Sequence, residues 1–103
     1  MSRAQVRLGK RFEEQVAEAV GGTRVIRSCY GESAPDIEHP LFIAECKVRA
    51  SLAVSKWMQQ AESYRDDERP AVLFCREKGA RLDDSLVIVR LPVFLEMMNR
   101  ALR

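Results

Sequence analysis

No stretch of the 103 residues approaches the roughly 18 consecutive apolar side chains of a membrane span, which excludes a transmembrane helix. The opening residues, MSRAQVRLGKRFEEQ, contain no apolar h-region, so no secretory signal is expected. Cysteine is scarce, with three in the chain and no CxxC spacing. An odd, scattered set argues against a disulfide framework or a zinc knuckle and makes a reducing, cytoplasmic compartment the expectation. Aromatic residues are only 7% of the chain, and no aromatic run is interleaved with basic residues as a base-stacking surface would need. Repeats, low-complexity tracts and linkers are absent. Five glycines and four prolines are too few for a fibrous or disordered chain.

What is present is 47% hydrophobic and 31% charged residues, the composition of one globular domain spanning 1–103. The formal net charge of +2 is unevenly spread. Residues 1–30 carry six basic and three acidic side chains, 31–70 five and eight, and 71–103 six and four. An acidic middle between basic ends is either ordinary surface scatter or a cation site flanked by surface that tolerates an anionic ligand.

Apolar periodicity and turn residues divide the chain. Gln5, Leu8, Phe12, Val16 and Ala19 recur at helical spacing, predicting a helix over 4–20 that Gly21-Gly22 ends. The β-branched stretch 23–29 reads as a strand, Asp36–Glu38 as a second, His39-Pro40 as a turn and Leu41–Val48 as a third strand. A helix is expected over 54–67, broken by Arg69-Pro70. The runs 71–76 and 86–91 are almost wholly apolar, as strands buried on both faces are. Pro92 opens a last helix. The order αβββαββα predicts an α/β domain, a central mixed sheet of about five strands flanked by helices.

Chemistry concentrates between Ala34 and Lys47. Alternation along the third strand puts Phe42, Ala44, Cys46 and Val48 on one face and Ile43, Glu45, Lys47 and Arg49 on the other. Charges on so apolar a strand need a reason, because burying an unpaired charge is costly. A hairpin near His39-Pro40 brings Asp36 beside Glu45. Two converging carboxylates with an amine alongside suit a hard divalent cation that keeps several waters, and such a cation polarises a phosphoryl oxygen and acidifies its water. The Lys47 ammonium could orient that water or stabilise developing charge. Together these are the parts of a phosphodiester hydrolase.

Pro35-Asp36, eight intervening residues, then Glu45-Cys46-Lys47 resembles the motif of the PD-(D/E)xK nuclease superfamily, and the element order resembles its restriction-endonuclease-like core. Gly9-Lys10-Arg11-Phe12-Glu13 looks like the first helix of archaeal-type Holliday junction resolvases, in which a glutamate four residues after glycine contributes to the metal site. Gln60-Ala61-Glu62-Ser63-Tyr64 is similar to the QxxxY motif of several nuclease branches. The likeness runs from about Gly9 to Leu91, and its Asp-to-Glu spacing is at the short end, requiring a tight hairpin. It implies a metal-dependent endonuclease of recombination or repair, with Asp36, Glu45, Lys47 and Gln60 as catalytic residues. Glu13, Asp36, Glu45 and Cys46 would be the metal site, and the cofactor magnesium or manganese. The implied substrate is DNA, branched for a resolvase, and the implied assembly a homodimer, since cutting a four-way junction symmetrically needs two sites. A nicking or repair nuclease of phage type, and a nuclease-fold protein that binds without cutting, are the alternatives.

Other residues carry plainer readings. Arg7, Lys10 and Arg11 on the first helix, and Arg49, Ser55 and Lys56 after the site strand, are candidate phosphate contacts or simply solvated. Cys29, Cys46 and Cys75 read as small buried hydrophobes. Trp57 and Tyr64 read as core, and His39 as a solvated turn residue. The terminal helix, with Val93, Phe94, Met97, Met98 and Leu102, is either a core helix or a dimer surface.

Overall fold

The computed structural model describes residues 2–26 and 34–103. Helix α1 spans Arg3–Val20 and starts at Ser2, whose Oγ accepts the Gln5 N–H at 3.1 Å. Gly21 closes it at φ 69°, the left-handed conformation glycine adopts without penalty. Gly22 is required for a different reason. A Cβ there would lie 2.9 Å from the Glu38 carbonyl oxygen and 3.0 Å from the Ile37 side chain, so the chain leaves α1 pressed against the strand it will flank.

Five strands follow as one sheet: β1 Thr23–Arg24, β2 Ile37–His39, β3 Phe42–Arg49, β4 Ala71–Glu77 and β5 Leu86–Ile88. Their spatial order is the chain order, with β1, β2 and β3 antiparallel neighbours, β4 parallel to β3, and β5 antiparallel to β4. The parallel step needs a crossover, supplied by α2 (Val54–Glu62). A short 3-10 turn over Leu82–Asp84 precedes β5, and α3 (Leu91–Ala101) closes the fold with proline in its first turn. This is the expected αβββαββα arrangement of a five-stranded mixed sheet with three helices. Among the described residues no helix is long and apolar enough to cross a membrane.

The sheet is covered on two sides. Phe12, Val16 and Ala17 of α1 pack with Ile37, Ala44, Cys46, Val48, Val72 and Phe74. Trp57, Met58 and Ala61 of α2 pack with Ala71, Leu73 and Cys75 on the opposite face. The alternation read for β3 therefore holds: its even-numbered side chains face α1, and Glu45 and Lys47 lie on the other side.

Three expectations change. The first strand pairs only over Thr23–Arg24, and the rest of that expected segment, Cys29 included, reaches into residues 27–33, outside the described residues. Helix α2 stops at Glu62 rather than near Asp67. The Ser63 N–H and Oγ turn back onto Gln60, and Asp66 accepts the N–H groups of Glu68 and Arg69, a side-chain turn that competes with helix. The run 86–91 is not a strand buried on both faces. It pairs over three residues at the sheet edge, leaving Leu86 and Val87 largely exposed.

Candidate active site at the β2–β3 hairpin

The short Asp-to-Glu spacing is met by a tight hairpin. His39 pairs with Phe42, so the connection is Pro40-Leu41, one residue later than the expected His39-Pro40 turn. His39 Nδ1 accepts the Leu41 N–H at 3.0 Å and the imidazole stacks on Phe42, so this histidine shapes the turn. Counting back from Ile37 opposite Ala44, Asp36 arrives beside Glu45.

Asp36 is clamped by its own backbone. Its N–H donates to the Ala44 carbonyl and its carbonyl accepts the Val25 N–H, both at 2.9 Å, tying it to the strands on either side. Its Oδ2 accepts the Cys46 N–H at 2.8 Å, a hydrogen bond made inside the protein. Asp36 is 3% exposed and Glu45 1%; both are carboxylates where apolar residues are the rule. Lys47, two residues along the same face, brings Nζ within 3.4 Å of Glu45 Oε1. The other oxygen, Glu45 Oε2, is buried without a hydrogen-bond partner.

Helix α1 adds a third carboxylate. Glu13 is partly buried beside the core residue Phe12, whereas Glu14 points to solvent. Glu13 Oε2 accepts from Arg24 Nε at 3.2 Å, and Glu13 also lies within hydrogen-bonding reach of Asp36. Burial, then proximity to Asp36, pushes the Glu13 carboxyl up to about 7, with Arg24 pulling the other way. Burial, then the Asp36 charge, likewise pushes Glu45 up to about 7, against the opposing pull of Lys47. Like charges this close raise the cost of ionising both glutamates without compensation.

The remaining candidates fall around this centre. Cys46 enters through its main chain. Its thiol packs in the α1-facing core, and burial, reinforced by the neighbouring carboxylates, pushes its pKa up, so the sulfur stays a neutral thiol with little to offer a hard cation. Gln60 is partly buried on α2 and makes no side-chain hydrogen bond among the described residues, so nothing ties it to the carboxylates. Trp57 is core, as read, while Tyr64 falls beyond the end of α2 and is partly buried. Arg7, Lys10 and Arg11 are exposed on α1. Arg49 donates to the Val48 carbonyl at 2.8 Å, and Ser55 and Lys56 are exposed on the first turn of α2. Arg24 is a site residue that the sequence does not signal. Nothing in its local context marks it, because its part depends on β1 running beside α1.

No group of three or more His, Cys, Asp or Glu side chains among the described residues is already arranged as a metal-ligand cluster. The arrangement is a buried pair on paired strands with a third carboxylate against one member. Magnesium needs only one or two carboxylates, the rest of its shell being water. A buried carboxylate oxygen with no donor, beside two carboxyls whose ionisation burial disfavours, is a place where a cation's charge is favourable, so this donor set fits it. No protein-family model, curated protein or solved structure matches the chain.

Proposed function

We propose that this chain is a metal-dependent DNA endonuclease that hydrolyses phosphodiester bonds, acting on branched DNA as a homodimer. The reading rests above all on one observation: Asp36 and Glu45, buried on adjoining strands, converge beside Lys47 while Glu45 Oε2 lacks a partner. A purely structural ion pair does not need the second carboxylate there, and leaving a buried acceptor unsatisfied costs about 1–3 kcal/mol.

In this reading Asp36 and Glu45 hold magnesium or manganese, with Glu13 supporting from α1. Bound there, the cation supplies a polarised phosphoryl oxygen and a more acidic water. Asp36 is kept in place by the Cys46 N–H, so its orientation is set before substrate arrives. Lys47 places a positive charge next to the carboxylates, where it can orient the attacking water and offset the negative charge that grows on the phosphoryl group. Arg24 holds Glu13 against the hairpin. Gln60 is left as a DNA-contacting or site-shaping residue on α2.

The test is cleavage of labelled four-way junction, flap, linear duplex and single strand, with and without magnesium or manganese. Paired symmetric cuts on the junction are expected. Asp36→Asn and Lys47→Met should each lower the cleavage rate by about 100-fold or more, the usual loss for a missing charge-stabilising group, with the folded spectrum retained. Tight binding with no metal-dependent cutting of any substrate would leave only a non-cutting binder.

A further inference from the structure

We infer that the exposed apolar face of α3 is the seat of a second copy of this chain, the two α3 helices packing antiparallel across a two-fold axis. The inference deepens the homodimer part of the proposed function by naming its surface, and rests on that reading only for the stoichiometry.

Helix α3 has no buried residue, unlike α1 and α2, which each bury three. Its side chains are nevertheless those of an interior helix. Leu91, Phe94, Leu95, Met98 and Leu102 recur at the spacing of one helix side, and Met97 widens the stripe. Leu91 is 67% exposed and Leu102 80%, and the others stand roughly half in solvent. An isolated helix of eleven residues is marginal in water, and most helical stability comes from packing an apolar face. Here, among the described residues, that face is left largely to solvent. The helix is anchored at its base, where Arg90 makes a two-pronged bond to Glu62 at 2.6 and 3.2 Å, and its opposite side, with Glu96, faces residues 65–70.

The area identifies the occupant. These six side chains present apolar surface on the order of 700 Å², above the contiguous patch typical of a soluble monomer. Covered completely on both copies across a two-fold axis, it would reach about 1,400 Å² at most, inside the range of specific protein–protein interfaces. The stripe carries no Lys or Arg, which removes it from consideration as a phosphate-binding surface, and Glu96 and Arg100 satisfy each other at 2.7 Å. An apolar stripe without its own charge pattern is self-complementary, the condition for an isologous contact.

The test is mass by light scattering on the full chain, alongside its cutting pattern. Wild type is expected at twice the 11.8 kDa of the chain. Leu95→Glu and Met98→Glu should each raise the dissociation constant roughly 30-fold or more, leaving monomer at low micromolar concentration. In a Cys29→Ser background, Leu95→Cys should cross-link between chains on oxidation and Gln59→Cys, exposed on α2, should not, which keeps the proposal testable if a glutamate variant fails to fold. A monomeric wild type at high micromolar concentration, or dimers unaffected by both glutamate variants, would overturn it. The two readings fail separately: a cutting dimer that ignores both α3 variants sinks this interface alone, a monomer that still makes metal-dependent cuts sinks the dimer and leaves the nuclease, and an α3-dependent dimer that cuts nothing sinks the nuclease alone.

Discussion

At the scale of single residues, Glu13 and Glu45 make the protein sensitive to pH in a direction that can be worked out. Glu13 and Glu45 stand at about 7 in the folded chain against an ordinary value of 4.5. A carboxyl raised on folding binds its proton more tightly in the native state, so its contribution to stability is fully present below 4.5. It is lost as pH climbs through 7. The metal-free protein should therefore melt at a higher temperature at pH 5 than at pH 8. Glu45→Gln, which cannot ionise, should flatten that dependence and raise the melting temperature at pH 8. A melting temperature that is level or rising between pH 5 and 8 would contradict the crowding of these groups. Magnesium competes with the same protons, so its stabilising increment should be larger at pH 8 than at pH 5.5 in a thermal melt. Lys47→Met should leave Glu45 with less compensation and steepen the apo dependence.

At the scale of elements, the two glycines around α1 separate what the fold needs from what it tolerates. Gly9 sits inside the helix with nothing within 4 Å of where a Cβ would be, so Gly9→Ala should stabilise the protein by about 0.5–1 kcal/mol, the helix propensity difference. Gly22 faces the Glu38 backbone at 2.9 Å, so Gly22→Ala must displace β2 and should cost about 1–3 kcal/mol. Urea unfolding of the two variants reads both signs in one experiment, and a destabilising Gly9→Ala would mean that α1 is not the regular helix described. The same elements explain how much was legible in the sequence. Phe12, Val16 and Gly21 announce α1 because period and cap are local properties. Asp36, Glu45 and Lys47 could be placed together because strand alternation and hairpin length fix register without distant information. The edge position of Leu86–Ile88 was not legible: an apolar run looks the same whether its second neighbour is a strand of its own sheet or something outside the chain. The exposure of α3 has the same cause. Arg24 was missed because its partner Glu13 comes from another element, and the end of α2 was misplaced because Asp66 forms a turn that its charge alone does not advertise.

At the scale of the whole molecule, a net charge of +2 is too small to draw DNA, so any binding depends on where the charges lie. Helices α1 and α2 cover opposite faces of the sheet, with the hairpin carboxylates reached by Glu13 from one layer and carried by β3 toward the other. In the proposed reading, a strand of DNA entering the site would meet basic side chains from both layers. Lys10 and Arg11 lie three and four residues from Arg7 along exposed α1, and Lys56 stands on α2. Phosphate contacts of this kind add affinity without reading bases, and each contributes about 0.9 to the slope of log affinity against log salt. Replacing Arg7, Lys10 and Arg11 together by alanine should weaken binding equally for all sequences and reduce that slope by about two to three. Lys56→Ala should remove about one more, additively, if one DNA molecule touches both layers. Fluorescence anisotropy across a salt series measures both slopes with a catalytically inert Asp36→Asn protein, so cutting does not intrude. An unchanged slope in the triple variant would move the DNA off α1. An unchanged slope in Lys56→Ala alone would confine it to the α1 side, with β3 presenting Glu45 and Lys47 from beneath.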